Sequence, residues 1–440
     1  MNWPIVNIGT ICIPTSQRDP RQFPDEKFMY IDIASIDREQ KMIVEPQILI
    51  GEEAPSRARK VVKTGDVLVS TVRPNLNTVT HVSEKFDNQI ASTGFCILRA
   101  DSKLIESRYL FYKTTTTEFV DFLVNRMRGA NYPAVTDGVV KAASIILPPL
   151  SEQRRIVELL DQADALRRKR AKADAKAARI LPALFIKLFG DPATNPRGWK
   201  KVTVSSVLLA EGGVRTGPFG SSLKKHEYTH QGIPVWGINN IAFDVFIEEG
   251  CLYVSEEKYR DLGNYTVNEG DIFISRAGTV GRMCVARPKQ TPSIIGTNLI
   301  KLTLDQDKML PEYFVTLFTH FATVMGTLRA TGDEGAYSFM NPKILRTIEI
   351  PHPPVSLQQH FAKRVIALQH QREQSRQSRH NIDAVFQNLL RHAFTGDLTA
   401  GWREGHLREL LAEMELQARW LGPGGITVEG KDTGRTADLV

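Results

Sequence analysis

Two regions of this chain repeat one another's landmarks at a constant offset, and that offset limits the available folds more than any composition does. Asp66, in Thr64-Gly65-Asp66-Val67-Leu68-Val69-Ser70, is matched by Asp271, in Glu269-Gly270-Asp271-Ile272-Phe273-Ile274-Ser275, 205 residues later. The same step carries Tyr132 onto Tyr337, Pro149 onto Pro354, Gln153 onto Gln358, and Ile31-Asp32-Ile33 onto Trp236-Gly237-Ile238. Asp191 and Asp397 match at 206, so one residue is gained late in the second copy. Chance does not hold a register over so many landmarks, and the pattern predicts a tandem repeat of one structural unit.

Each copy closes on a long helical stretch. The first, Ser151 to Phe189, follows Pro148-Pro149, with Ser151 as the N-cap, and is rich in Ala, Leu, Lys, Arg and Glu. Its seam runs Ile156, Leu160, Ala163, Arg167, Arg170, Asp174, Ala177, Leu181, Leu184, Leu188. The second, Ser356 to Phe394, runs Phe361, Val365, Leu368, Arg372, Ser375, Arg379, Ile382, Phe386, Leu389, Ala393. Both seams are apolar at the ends and polar in the middle, as expected of two helices packed antiparallel with a centre left for other contacts. Roughly thirty residues at ~1.5 Å each make a rod of ~45 Å. Pro182 has no counterpart in the second helix and predicts a kink or break.

The remainder reads as mixed β and α. Lys60–Val72, Ser92–Ala100, Gly270–Gly278, Met283–Arg287 and Thr297–Leu304 are strand-like, while Ser107–Met127 and Pro311–Arg329 have helical spacing. The fold class is therefore α+β: two pseudo-repeated mixed α/β domains, at residues 1–150 and 190–350, separated by two long antiparallel coiled-coil helices at 151–189 and 351–397. The tail, 398–440, is expected to be helical over His406–Leu421 and then mobile.

Charged residues make up 24% and hydrophobic residues 42% of the 440, ordinary for a globular chain, and the net charge of +7 leans toward a polyanionic partner. The four cysteines, Cys12, Cys96, Cys251 and Cys284, are widely spaced, which favours reduced thiols and a cytoplasmic setting over a disulfide framework or zinc site. No run is long and apolar enough for a membrane span, so no membrane partner is expected.

Catalytic and cofactor signatures are missing. There is no phosphate-binding P-loop and no strand-linked GxGxxG; Gly278-Thr279-Val280-Gly281 reads as a turn. Neither Asn195-Pro196-Arg197 nor Asn341-Pro342-Lys343 supplies the Asn/Asp-Pro-Pro-aromatic loop of an amino-methyltransferase. Pro24-Asp25-Glu26-Lys27 is too contiguous for nuclease carboxylates, and His226 and His230 lack a third metal ligand. The expectation is no catalytic residue, no metal and no cofactor.

Binding signals lie in the loops. Thr216 to Lys225 offers a flexible backbone with Phe219, Ser221, Ser222, Lys224 and Lys225, suited to phosphates and to a sugar or base; the competing reading is a tight turn around a buried Phe219. Arg73 and Asn75 follow one strand, and Arg276, Thr279 and Arg282 follow its repeat equivalent, where arginine can take guanine bidentately. A second matched cluster joins Arg128, Asn131 and Tyr132 with Tyr337 and Ser338; a solvated polar loop is the alternative there.

Leu147-Pro148-Pro149-Leu150-Ser151-Glu152-Gln153-Arg154-Arg155, Leu188-Phe189-Gly190-Asp191, Thr216-Gly217-Pro218-Phe219-Gly220 and Gly270-Asp271-Ile272-Phe273-Ile274-Ser275-Arg276, in this order, resemble the DNA-specificity subunit of type I restriction–modification systems over about residues 1–403. That resemblance implies two target-recognition domains, each reading half of a bipartite, asymmetric site on double-stranded DNA. It also implies a noncatalytic subunit that docks two copies of a DNA adenine methyltransferase subunit and a motor-nuclease restriction subunit. Arg154, Arg155, Arg167, Arg170, Asp174, Arg372 and Arg379 are the candidate docking residues. Leu357-Gln358-Gln359-His360 departs from Glu152-Gln153-Arg154-Arg155, so the second docking face should differ. Two unlike copies of one domain also suit half-sites one DNA turn, ~34 Å, apart.

Overall fold

The computed structural model describes residues 3–129, 132–209, 213–242, 244–276, 282–321 and 342–422. The chain divides into two compact units, Met1–Arg170 with Arg379–Val440, and Ala171–Ser378. Helices and sheets occur in both, an α+β fold.

The first unit carries β1 (Ile5–Asn7), β2 (Cys12–Ile13), β3 (Lys27–Ile31), β4 (Ile36–Asp37), β5 (Met42–Ile43), β6 (Gln47–Ile50), β7 (Ala58–Val61), β8 (Val67–Ser70), β9 (Val79–His81), β10 (Ile90–Ser92) and β11 (Phe95–Ala100). They form two four-stranded sheets, β6-β3-β10-β7 and β2-β11-β8-β9. β3 and β10 run parallel, with Ile31 opposite Ala91, whereas β8 and β11 run antiparallel from Val67–Leu98 to Ser70–Phe95. β8 is apolar without alternation because both its faces are covered: Leu68 joins a core with Ile31, Phe86 and Phe95, while Val67 and Val69 join another with Tyr109 and Leu110.

The run Lys60–Val72 is two strands rather than one. Gly65 takes φ 87°, a region open to glycine, and the Asp66 carboxylate accepts the Lys63 N–H at 2.7 Å, so β7 and β8 turn into different sheets. Asp66 is buried and forms a 2.8 Å ion pair with Arg99. The helix read over Ser107–Met127 is likewise divided, into α1 (Ser107–Thr115) and α2 (Thr117–Val124). Thr116 is extended at ψ 149° and its hydroxyl accepts the Phe119 N–H, capping α2. Then come α3 (Asp137–Lys141), β12 (Ser144–Ile146), paired with β1, and α4 (Leu150–Ala178).

α4 starts one residue before the expected cap. Ser151 therefore lies within the first turn: its N–H donates to the Glu413 carboxylate at 3.0 Å, and its buried hydroxyl has no hydrogen-bond partner. The junction is held by Gln153, which has no exposed surface. Its amide donates to the carbonyls of Leu104 (3.0 Å) and Pro148 (2.8 Å), and its carbonyl accepts the Glu106 N–H at 2.8 Å. Beside it Tyr109 donates to the Ile146 carbonyl, its hydroxyl pKa raised well above the usual value by complete burial.

In the second unit α4 ends at Ala178 and α5 (Ile180–Phe189) begins after Arg179. Pro182 causes the break. It has no N–H to donate to Ala178, four residues back, and its ring crowds that carbonyl. β13 (Lys201–Thr203), β14 (Val214–Thr216), β15 (Ile233–Trp236), β16 (Ile241–Ala242), β17 (Val245–Phe246), β18 (Leu252–Val254), α6 (Glu256–Asp261), β19 (Ile272–Ser275), β20 (Met283–Val285), β21 (Ile294–Ile295) and β22 (Leu299–Leu302) follow. The sheets are β14-β22-β19-β20 and β18-β15-β21. β15 and β21 are parallel, with Trp236 opposite Ile295, and β19 and β22 are antiparallel from Ile272–Leu302 to Ser275–Leu299. α7 (Pro311–Phe321), α8 (Pro342–Thr347) and β23 (Glu349–Pro351), paired with β13, lead into α9 (Val355–Thr395), unbroken over 41 residues.

Gln358, fully buried, accepts the Leu310 N–H at 2.9 Å and donates to the Pro353 carbonyl at 2.9 Å, while Tyr313 donates to the Pro351 carbonyl at 3.0 Å. Phe185 packs against Phe189, Tyr313, Phe321 and Phe361 with ring centroids 4.8 to 5.7 Å apart, joining α5, α7 and α9.

The last part of α9 returns to the first unit. Phe386, Leu390, Ala393 and Phe394 share a core with Ile156, Val157 and Leu160 of α4. Asp383 of α9 meets Arg167 of α4, and Thr399, just past α9, meets Glu152. Tail helices α10 (Ala400–Gly405) and α11 (Leu407–Leu421) dock here as well. Arg403 pairs with buried Glu152 at 2.9 Å, and the Gln417 amide donates to the same Leu104 and Pro148 carbonyls that Gln153 uses. Residues 423–440, the end of the expected mobile tail, lie outside the described residues.

Replacing Gln153 by Ala strands the buried Glu106 N–H and leaves the Leu104 and Pro148 carbonyls to Gln417 alone. The unfolding free energy should fall by roughly 1–3 kcal/mol, read from the denaturant midpoint at unchanged slope. Gln153→Glu, which keeps the acceptor but not the two donors, should still be destabilised.

Candidate nucleic-acid interface

Loops at the ends of β8 and α2 are tied together by backbone hydrogen bonds. Arg128 and Ala134 exchange a pair at 3.0 Å each, Val135 N–H donates to the Thr71 carbonyl at 2.9 Å, and Arg73 N–H donates to the Pro133 carbonyl at 2.8 Å. Arg73 sits at φ 48° and ψ 58°, a left-handed conformation that costs a residue with a Cβ about 1 kcal/mol. Its guanidinium lies 5.6 Å from the ring centre of Tyr132, which is 74% exposed. Arg128 and Asn75 are exposed on the same loops. The structure thus brings together Arg73, Asn75, Arg128 and Tyr132, which are as much as 59 positions apart in the chain. Asn131 lies outside the described residues. The neighbouring Arg126 stacks on Phe122 at 3.8 Å.

In the second unit the loop after β14 is held by a close backbone approach. Gly217 N–H donates to the Leu299 carbonyl at 2.8 Å, and a Cβ on Gly217 would stand 1.8 Å from the Gly296 carbonyl oxygen, so only glycine fits. The Phe219 carbonyl accepts from the N–H groups of Ser222 and Leu223. The turn expected there is present, but its anchor is Leu223, buried with Val235, Val254, Leu262 and Ile294; Phe219 is 64% exposed. Ser221, Lys224 and Lys225 are exposed and Ser222 is half-buried. Glu227 accepts the Lys224 N–H at 2.6 Å and pairs with Lys258, and these contacts, Lys258 first, hold its carboxyl below the usual range.

Arg276 N–H donates to the Asn298 carbonyl at 2.9 Å, which places Arg276 beside the Gly296–Leu299 segment that grips the Phe219 loop. Arg282 N–H donates to the Ser275 hydroxyl at 3.1 Å, and its carbonyl accepts the Ser275 N–H. Arg276 and Arg282 are exposed; Thr279, Tyr337 and Ser338 lie outside the described residues. Both surfaces combine arginine or lysine with a solvent-facing aromatic ring, groups that contact phosphates, base edges and base faces.

The residues expected to dock partners fall into two sets. Arg154 is exposed, 3.9 Å from Glu106, and Arg155 pairs with Glu158 at 2.6 Å on the helix surface. Arg167 makes a 2.7 Å ion pair with Asp383 and lies 4.4 Å from the Phe386 ring centre; Arg372 pairs with Asp244 at 2.9 Å and Arg379 with Glu39 at 3.3 Å. Arg170 and Asp174 are half-buried and also have interaction partners. Sequence reasoning missed Glu39 and Asp244, although they stand 205 residues apart, the repeat step.

Among the described residues, no group of three or more His, Cys, Asp or Glu could hold a metal, and no helix is long and apolar enough to cross a membrane. The four cysteines are free thiols; burial pushes Cys12 and Cys96 up to about 12.

Each α+β unit presents one such loop surface. The family model described as "Type I restriction modification DNA specificity domain" matches residues 3–174. The HindI type I restriction enzyme specificity subunit of Haemophilus influenzae is 24% identical over 142 residues, 32% of this chain and 31% of that subunit. The putative MjaX specificity subunit of Methanocaldococcus jannaschii is 23% identical over 348 residues, covering 76% and 78% of the two chains. A chain from a solved structure on complex assembly and conformational transition of the type I restriction–modification system aligns with a TM-score of 0.53 and 27% identity, over 90% of this chain and 98% of that one. Over these spans the chain is similar to type I restriction–modification specificity subunits.

Replacing Arg276 by Ala separates the two kinds of contact. If it reads a base, binding to the cognate site should weaken by ~1–3 kcal/mol with relaxed preference at one position. A phosphate contact would instead weaken binding to every DNA alike and lower the salt dependence by about one unit. Fluorescence-anisotropy titrations over a range of salt concentrations tell them apart.

Proposed function

We propose that this chain is the noncatalytic DNA-reading subunit of a type I restriction–modification complex and recognises a bipartite, asymmetric site. Residues 1–150 would read one half-site and residues 190–350 the other, with 151–189 and 351–397 as the helices that carry them. Two copies of a DNA adenine methyltransferase subunit would dock on the helices, with exposed Arg154 and half-buried Arg155 among the cations the first presents, and a motor-nuclease restriction subunit would complete the assembly. The setting is cytoplasmic.

The observation that carries this reading is that two strand pairings of the first unit recur in the second. Ile31 opposite Ala91 in β3–β10 corresponds to Trp236 opposite Ile295 in β15–β21, and Val67 opposite Leu98 in β8–β11 corresponds to Ile272 opposite Leu302 in β19–β22. Gln153 and Gln358, and Tyr109 and Tyr313, make corresponding hydrogen bonds. Such correspondence supports a pseudo-repeat. The loop sequences that follow equivalent strands differ, Thr71-Val72-Arg73-Pro74-Asn75 after β8 against Arg276-Ala277-Gly278-Thr279-Val280 after β19, as the reading of two unlike half-sites requires.

Exchanging residues 200–350 for the corresponding region of a family member with another target should change one half of the methylated motif and leave the other intact. Methylome sequencing of cells carrying each chain reads the result. A change in both halves would overturn the modular assignment.

A further inference from the structure

We propose that the Asp244–Arg372 ion pair is a positioning clamp that fixes the second DNA-reading region on α9 and thereby sets the half-site spacing the protein accepts. The proposal rests on the bipartite reading above and adds a residue pair that acts on spacing without touching DNA. Asp244 lies in the turn between β16 and β17, a hairpin with Ile241 opposite Phe246 and Ala242 opposite Val245. It is 5% exposed. The Arg372 guanidinium reaches its carboxylate at 2.9 Å, and one turn earlier on α9 the Gln369 amide donates to the Asp244 carbonyl at 3.2 Å. Gln369 in turn accepts from Arg287 at 3.2 Å, and Arg287 forms an ion pair with Glu312 of α7. α9 is thus bonded to the hairpin and to the segment after β20, and through Arg287 of that segment it is linked to α7.

A mechanical route leads from the clamp to the reading surface. The Phe246 ring packs edge-on against Trp236 of β15 at 5.0 Å and Phe273 of β19 at 5.8 Å. β19 ends at Ser275, and the next residue is Arg276. A shift of the hairpin on α9 therefore moves the strand that delivers Arg276, because packed aromatic rings transmit displacement rather than absorb it.

The first unit holds the counterpart. Glu39 follows β4 at the position 205 residues before Asp244, and its carboxylate lies 3.3 Å from Arg379, on the same helix α9. The two pairs differ in environment. Glu39 is 85% exposed at its side chain and Arg379 47%, so water and salt screen that pair, whereas Asp244 and Arg372 are 7% and 25% exposed. Removing Arg372 takes the paired cation from the buried Asp244 carboxylate, so the second clamp dominates.

The test uses the full chain in its assembled methyltransferase complex and DNA duplexes that keep both half-sites while the spacer is shortened or lengthened by single base pairs. Asp244→Asn and Arg372→Gln should keep the base preference of both half-sites, while preference for the native spacer falls roughly 5-fold or more. Asp244→Arg combined with Arg372→Asp should restore part of the discrimination, and Glu39→Gln should leave it unchanged. Arg372→Lys, which keeps the charge, serves if Arg372→Gln fails to fold, and should show a smaller loss of the same kind. Folded variants with unchanged spacer discrimination would overturn the clamp, as would loss of methyltransferase binding with spacer choice intact. Wild-type protein indifferent to one of the half-sites would instead overturn the bipartite reading.

Discussion

At the head of each long helix a fully buried glutamine holds helix and domain together. Gln153 and Gln358 are each placed where an incoming chain would leave backbone carbonyls and an N–H without water. One side-chain amide satisfies both types of group. An apolar residue could fill the space but would leave the polar groups stranded, at a cost comparable to a sizeable share of a domain's stability. Tyr109 and Tyr313 add a buried hydroxyl to each junction. The domains are thereby hydrogen-bonded onto the helices, which apolar packing alone would leave free to slide.

Upon this rigid base the loops are shaped by backbone constraints rather than by their own side chains. Gly217 permits an approach to Gly296 that no Cβ would allow, and Arg73 accepts a left-handed conformation stabilised by its bond to Pro133. Phe219, Tyr132, Arg73 and Arg276 are then free to face solvent, since Leu223 and the strand cores supply the anchoring. Division of labour of this kind lets loop sequence vary with target while the scaffold stays as it is. The helix centres follow a similar logic. Their arginines look like a surface awaiting a partner, yet Arg167, Arg372 and Arg379 each meet a carboxylate of this chain.

Legibility in the sequence varied with the range of the interaction concerned. The apolar runs of β8 and β19, the offset linking their aspartates and the extent of α9 could all be read directly, because strand burial and helix periodicity are written in neighbouring residues. Pro182 was read as a break, and α4 ends four residues before it. Lys60–Val72 was misread as one strand because the turn at Gly65 depends on the Asp66 carboxylate capping Lys63, a contact that an apolar pattern does not advertise. Ser151 looked like a cap from its place after two prolines; α4 instead starts at Leu150, and Glu413, far along the chain, takes the Ser151 N–H.

By itself, then, the sequence determined the element types, the repeat offset and the chemistry available to the loops, since all three follow from local pattern and composition. Tertiary structure decided which of those groups face solvent and which are paired inside the chain. Glu39 and Asp244 reach arginines on α9 that are 340 and 128 positions away. No local pattern encodes such partners; burial and the geometry of packed strands select them once the chain has closed around its cores.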